Sequence, residues 1–330
     1  MFKKLNIRTL LVVFVLLLAM VAIIEYSNSK KGDRSFRDQV LSFEEDKVTE
    51  IVITDFKNQG EQLTLEKAEN DRWKVLTGEK EYNGDGTRIN ELLSQLNGME
   101  PISIVATTEE QWKEYEVTDS VALLVSLKEE GKELADLYIG KFSYKQPQGQ
   151  TQNPYQRRRG EMTSYVRVDG EERVFAVEGF LRMNFNPEPT AYRDKTVIAS
   201  NQSNWTKLEF SYPSDSSFTL NNQENNWMVD GLAADSSNTA SYLSNVSNLT
   251  SSSFVSEDEL TANAPTHQLT INGVNLPAPI EIKAFPASSQ DTVNNYYITS
   301  SENKGTYFAG NKQDLFDKIF KSKDNFLIGK

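Results

Sequence analysis

Cysteine is absent from this chain, and histidine occurs once, at His267. Without cysteine there is no disulfide, no thiolate metal site, no cysteine nucleophile and no lipid-bearing cysteine. A cysteine-free chain tolerates either redox state, so the compartment is left open. One histidine excludes a His-rich zinc site built within a single chain. The sequence also lacks a Walker loop, a dinucleotide-binding glycine fingerprint and an HExxH pair, and it has no serine nucleophile elbow. Positive charge is scarce: 35 Lys and Arg stand against 47 Asp and Glu, for a net charge of -12. Lys3, Lys4 and Arg8 sit at the extreme N-terminus, so the remainder is more acidic still. A nucleic-acid binder needs cationic surface to displace counterions from phosphate, so no nucleic acid is expected as a partner.

What remains is substantial. The 330 residues suit two domains or one duplicated unit, and 38% hydrophobic with 10% aromatic residues is enough for real cores. The longest apolar run stands at the start, unbroken from Leu10 to Ile24. With Ile7, Thr9 and Tyr26 it approaches the roughly 20 residues a helix needs to cross hydrocarbon. Cationic Lys3, Lys4 and Arg8 precede it and Glu25 follows, which puts the N-terminus in the cytoplasm and the rest outside. A cleaved signal peptide is the competing reading, but the small-x-small site it requires is poor at Ala19-Met20-Val21. The expectation is therefore a single-pass anchor in the inner membrane over residues 1–26, then a tether over 27–46.

Beyond the tether, two stretches repeat one order of signals. Ile51 and Ile53, Leu63 and Leu65, then Trp73 to Val75 alternate as strands; Leu208 and Phe210, Phe218 and Leu220, then Trp227 to Val229 repeat them. Asp85 precedes Leu92, Leu93, Leu96 and Met99, and Asp235 precedes Tyr242, Leu243, Val246 and Leu249, at the spacing of one apolar helix face. Later strand signals also correspond, including Ile104 and Val105 with Phe254 and Val255, and Val174 to Val177 with Tyr307 to Gly310. The expected fold is α+β: two duplicated units, each a mostly antiparallel sheet with helices packed on one face. Their expected bounds are 47–186 and 204–320, joined by a linker over 187–203 that opens with Pro187 and Pro189, with a tail over 321–330.

Few residues offer chemistry. Asn83 to Gly86 faintly resembles a calcium loop, but counting from Glu81 puts Leu92 where the bidentate glutamate belongs. Asp85 and Asp235 read instead as helix caps. Arg157, Arg158 and Arg159 form a basic cluster in a Gln/Pro/Gly-rich insertion over 145–160, a docking loop for an acidic partner or anion, or a solvated loop balancing Glu161, Glu171 and Glu172. Arg193, just beyond the inter-unit prolines, is placed to bind a ligand at the junction or to hold the units together by a buried ion pair. Trp73 and Trp227 read as core; Trp112 and Tyr115 read as a core satellite or an aromatic surface. Nothing singles out a catalytic residue, a metal ligand or a cofactor.

The order of these landmarks resembles the Domain of Unknown Function 4340 family. The resemblance rests on an N-terminal anchor leading into Ser35-Phe36-Arg37, the repeated strand-strand-Trp-helix order, and Tyr138-Ile139-Gly140. It continues through Tyr165-Val166-Arg167, the stretch from Phe180 to Phe185, the run from Tyr192 to Lys195, and Tyr307-Phe308. It covers nearly the whole chain, and its specificity lies in the order. Members of the Bacteroidota type are typically encoded beside ABC transporter components similar to those of gliding-motility systems. The resemblance thus implies an extracytoplasmic accessory whose partner is a permease, an ATPase or a related subunit, and it supplies no catalytic residues. The expected function is a membrane-anchored scaffold of an ABC-type transport complex. The alternatives are a periplasmic ligand-binding protein with its site between the units, and a hydrolase of envelope polymers.

Overall fold

The computed structural model describes residues 37–68, 71–146, 160–224, 226–256, 264–287, 296–311 and 314–329. Among these, no helix is long and apolar enough to cross a membrane. The anchor expected from Leu10 to Ile24 and the cluster Arg157 to Arg159 lie outside the described residues.

Nine strands build the first sheet: β1 (Glu50–Asp55), β2 (Glu61–Lys67), β3 (Trp73–Thr77), β4 (Lys80–Asn83), β5 (Pro101–Ala106), β6 (Leu123–Glu129), β7 (Lys132–Lys145), β8 (Glu161–Val168) and β9 (Val174–Glu178). Their order across the sheet is β4-β3-β2-β1-β6-β7-β8-β9-β5. Every pairing is antiparallel. A short pair follows, β10 (Thr196–Ala199) with β15 (Asn248–Thr250). The second sheet holds β11 (Trp205–Ser211), β12 (Phe218–Gln223), β13 (Asn226–Val229), β14 (Leu232–Ala233), β16 (Phe254–Val255), β17 (His267–Gly273), β18 (Ile280–Pro286), β19 (Tyr296–Ser300) and β20 (Tyr307–Gly310). Its order is β14-β13-β12-β11-β17-β18-β19-β20-β16, the first sheet's order element for element. The chain is therefore α+β and dominated by antiparallel sheet.

The likeness extends to register and caps. Ile104 lies opposite Phe175, and Phe254 lies opposite Phe308, in the closing pair of each sheet. Asp85 caps the helix Gly86–Asn97 by accepting from the Arg88 N–H, and Asp235 caps the helix Ser236–Val246 by accepting from the Asn238 N–H. Each of these helices covers one face of its sheet. Ile89, Leu92, Leu93 and Leu96 meet Ile51, Ile53, Leu63 and Leu65 in the first core. Tyr242, Leu243 and Val246 meet Leu208, Phe210, Leu220 and Ile271 in the second. Burying such side chains supplies the main drive for folding, about 1.5–3 kcal/mol for each large one.

Three segments differ from the sequence-based reading. The span expected as a linker carries Tyr192, wholly buried in the first core, and strand β10. The span expected as a tail holds a 3₁₀ turn, Lys323–Phe326, and Phe326 is buried in the second core against Phe210, Phe218 and Tyr242. A lone aromatic in a polar run leaves no periodic signal, which is why this docking was not read from the residues. Finally, the first sheet is covered on both faces. The short helix Trp112–Tyr115 sits over the face opposite the main core, in a small cluster with Ala106, Val117, Ala122, Tyr138 and Val174.

Candidate functional site at the junction of the two sheets

The site is the seam where β4, the segment 192–196 and the turn between β19 and β20 meet. Gly84 brings the chain there: a Cβ at this position would lie 2.9 Å from the Trp73 carbonyl oxygen, so only glycine allows the approach. Gly84 then bridges to Arg193, the Asp85 N–H donates to the Tyr192 carbonyl at 2.7 Å, and the Asp194 N–H donates to the Asn83 carbonyl at 2.8 Å. The second unit closes the same way, with Ala234 bridging Leu327 and the Asp235 N–H donating to the Phe326 carbonyl. Beneath the seam, the Tyr192 hydroxyl donates to the Asn184 carbonyl at 3.3 Å. Burial drives its pKa well up, so it stays protonated.

Arg193 is the centre of this seam and only 7% exposed. Its guanidinium lies between two rings, 3.9 Å from the Tyr82 centroid in the first sheet and 3.8 Å from the Phe254 centroid in the second. A planar, delocalised cation suits two aromatic faces in a way an ammonium does not. The expected buried ion pair is not how it joins the units: among the described residues no carboxylate lies within ion-pair distance of it. Its buried Nε has no hydrogen-bond partner there either. Burial lowers its pKa, and neighbouring Tyr82 offsets this in part.

Asn303, buried in the β19–β20 turn, is the polar counterpart. Its amide donates to the carbonyls of Asp194 (2.9 Å) and Thr196 (3.2 Å), and its Oδ1 accepts from the Asn83 amide (2.9 Å) and the Thr306 hydroxyl (2.8 Å). Asn83 also donates to the Lys304 carbonyl. Ser300 donates to the Val197 carbonyl at 2.6 Å, tying the same turn to β10. Sequence reasoning did not single out Asn303, because one asparagine in a turn carries no pattern.

Two other arginines organise the first unit. Arg167, in β8, is stacked 3.9 Å from both Trp112 and Tyr138, donates from Nε to the Val117 carbonyl, and pairs with Asp119 at 3.1 Å. This places Trp112 within a packed satellite. Arg182 pairs at 2.8 Å with buried Asp55, which also caps the turn Phe56–Asn58. In the second unit, His267 is ringed by Tyr212, Tyr296, Phe316 and Phe320 with ring centroids 5.0 to 5.7 Å away. A cavity of about 470 Å³ opens beside it, and Ser217 lines it. That serine donates to the Tyr212 carbonyl and accepts from the Tyr212 N–H, so its hydroxyl is committed to a turn rather than aimed at His267. Among the described residues no three metal-ligating side chains gather.

Residues 73–269 match the family described as Domain of unknown function (DUF4340). The match spans more than half of the chain, and the chain belongs to this family. No curated protein and no solved structure matches it.

Proposed function

We propose that this member of the DUF4340 family is a membrane-anchored, extracytoplasmic scaffold and an accessory partner of an ABC-type transport complex. The observation that carries the reading is the filled seam. Tyr82, Arg193 and Phe254 stack across it, and Asn303 hydrogen-bonds both sides of it. Two sheets fastened in this way form a broad fixed surface, which suits presentation to a partner better than closure around a solute. The shared strand order supports reading the sheets as copies of one duplicated unit. The anchor from Leu10 to Ile24 fixes the surface beside the membrane, and Arg157, Arg158 and Arg159 are the proposed partner contacts. Protease treatment of spheroplasts tests the topology: the region after Tyr26 is digested from outside if the reading holds, and stays protected if it does not.

One observation favours a second reading. The buried, unpartnered Nε of Arg193 would suit an anionic ligand between the units, and a periplasmic ligand-binding protein would use it so. A thermal-shift screen of small carboxylates and phosphates separates the two readings. A stabilisation lost in Arg193→Lys favours ligand binding.

A further inference from the structure

The face of the first sheet that carries the main core runs on past the helices that cover it. β6 begins at Leu123, opposite Ile139, so beyond Ile139 β7 pairs with β8 alone. Met162, Ser164 and Val166 alternate onto one face of β8, and Val166 belongs to the main core. Phe142 lies opposite Ser164 and Tyr144 lies opposite Met162, so all of these share that face. Phe142, Tyr144 and Met162 are 46%, 53% and 46% exposed. Phe180 stacks edge-on against Phe142 at 3.9 Å, and Met183, in the helix Leu181–Asn184, is also exposed. The Tyr144 ring lies directly over Gly160. Lys141 and Lys145 alternate onto the other face, where the Lys141 ammonium stands 5.3 Å from the Tyr115 ring centroid; Glu161 opposite Lys145 and Glu178 opposite Thr163 are the carboxylates on the same strand ends. The connecting stretch 147–159 lies outside the described residues; its sequence holds three arginines and no carboxylate.

The start of the described chain lies close by. The Arg37 guanidinium stands 4.6 Å from the Phe175 ring centroid, and Phe175 pairs with Val166. From Val166 to Met162 along β8 is about 13 Å. The ten residues between Tyr26 and Arg37 span up to about 33 Å. A bilayer holding the anchor is thus within reach of the patch.

We infer that Phe142, Tyr144 and Met162 dock into the interfacial zone of the same bilayer that holds the anchor. Exposed aromatic and methionine side chains fit that zone, and the acidic remainder of the chain is repelled from anionic lipid, which sets the orientation. The inference rests on the proposed anchoring.

The absence of cysteine makes the test direct. Full-length chain carrying Gln146→Cys, or Val274→Cys as a distant control, is labelled with an environment-sensitive fluorophore. It is then placed in nanodiscs of phosphatidylethanolamine and phosphatidylglycerol, some with spin-labelled lipid. The expected result is a blue shift and lipid quenching for the Gln146→Cys label alone. Both are lost when Phe142→Ser, Tyr144→Ser and Met162→Ser are combined, while the circular dichroism spectrum is unchanged. Equal spectra at the two positions in discs that carry the protein would overturn docking and leave the anchor standing. A shift that appears only when a transporter subunit is co-reconstituted would also overturn it, since the occupant is then a protein. Failure of the chain to enter discs would overturn the anchor and the docking together.

Discussion

Asn83 and Asn303 meet across the seam: the Asn83 amide donates to the Asn303 Oδ1 at 2.9 Å, although 220 positions separate them in the chain. Asn303 also satisfies two backbone carbonyls and takes the Thr306 hydroxyl, so a buried turn depends on one side chain. Asn303→Ala is expected to cost about 2–3 kcal/mol, because buried partners lose their hydrogen bonds. Asn83→Ala, at the rim, should cost about 1 kcal/mol. Urea denaturation of both single variants and the double variant measures the coupling, which should be positive. Additive losses would mean that the contact contributes nothing.

Arg193 joins the sheets through ring faces, with Tyr82 on one side and Phe254 on the other. Arg193→Ala removes both contacts and leaves a hole, at an expected cost of about 2–4 kcal/mol. Arg193→Lys should recover only a minor part, since an ammonium cannot lie flat against two rings. Hydrogen exchange should quicken at Asp85, whose N–H bonds the Tyr192 carbonyl, while amides deep in β1 stay protected.

The paired caps give an additivity test. Asp85→Ala and Asp235→Ala should each cost about 1 kcal/mol, and Asn at either position should restore most of it. The two helices sit in separate cores, so the losses should add in the double variant. Chemical denaturation measures all of these.

These caps also mark where the residues spoke plainly. Equal offsets from Asp85 and Asp235 to an apolar helix face, and alternation in strands such as Ile51 to Ile53, are local signals, and they pointed to a mostly antiparallel α+β fold, whereas the order of the strands across each sheet rests on pairings between distant segments. The seam is different in kind. The position of Arg193 after the inter-unit prolines pointed to a junction, but its stacking partners lie in other elements, and no local pattern names Tyr82 or Phe254. Asn303 and Phe326 are single residues in polar turns, visible only once the chain has folded. Strand β10 was read into the linker because Val197-Ile198 is too short a run to show a period.

Asp136 predicts a pH dependence. It is partly buried in β7, and one carboxylate oxygen has no hydrogen-bond partner among the described residues. Burial raises its pKa, with Asp169 adding to the effect and Ser126 and Lys128 opposing it. Between its unfolded value near 3.8 and its raised folded value, the folded state binds more protons. Stability contributed by this group therefore falls as pH rises through that window. Asp136→Asn should be more stable than the parent chain at neutral pH, with the difference closing towards pH 3. Denaturant midpoints across that range check it, and a difference of opposite sign would refute the assignment.

The account's central claim is that this chain is an accessory subunit, and its most direct test is in native membranes. Full-length protein is cross-linked in place through its surface lysines, purified in mild detergent and analysed by mass spectrometry. The account predicts a permease or ATPase of an ABC-type complex joined to the region after Tyr26, directly or through a shared extracytoplasmic subunit. Recovery of the chain cross-linked only to itself would contradict the claim and shift the assignment to ligand binding at the Arg193 seam.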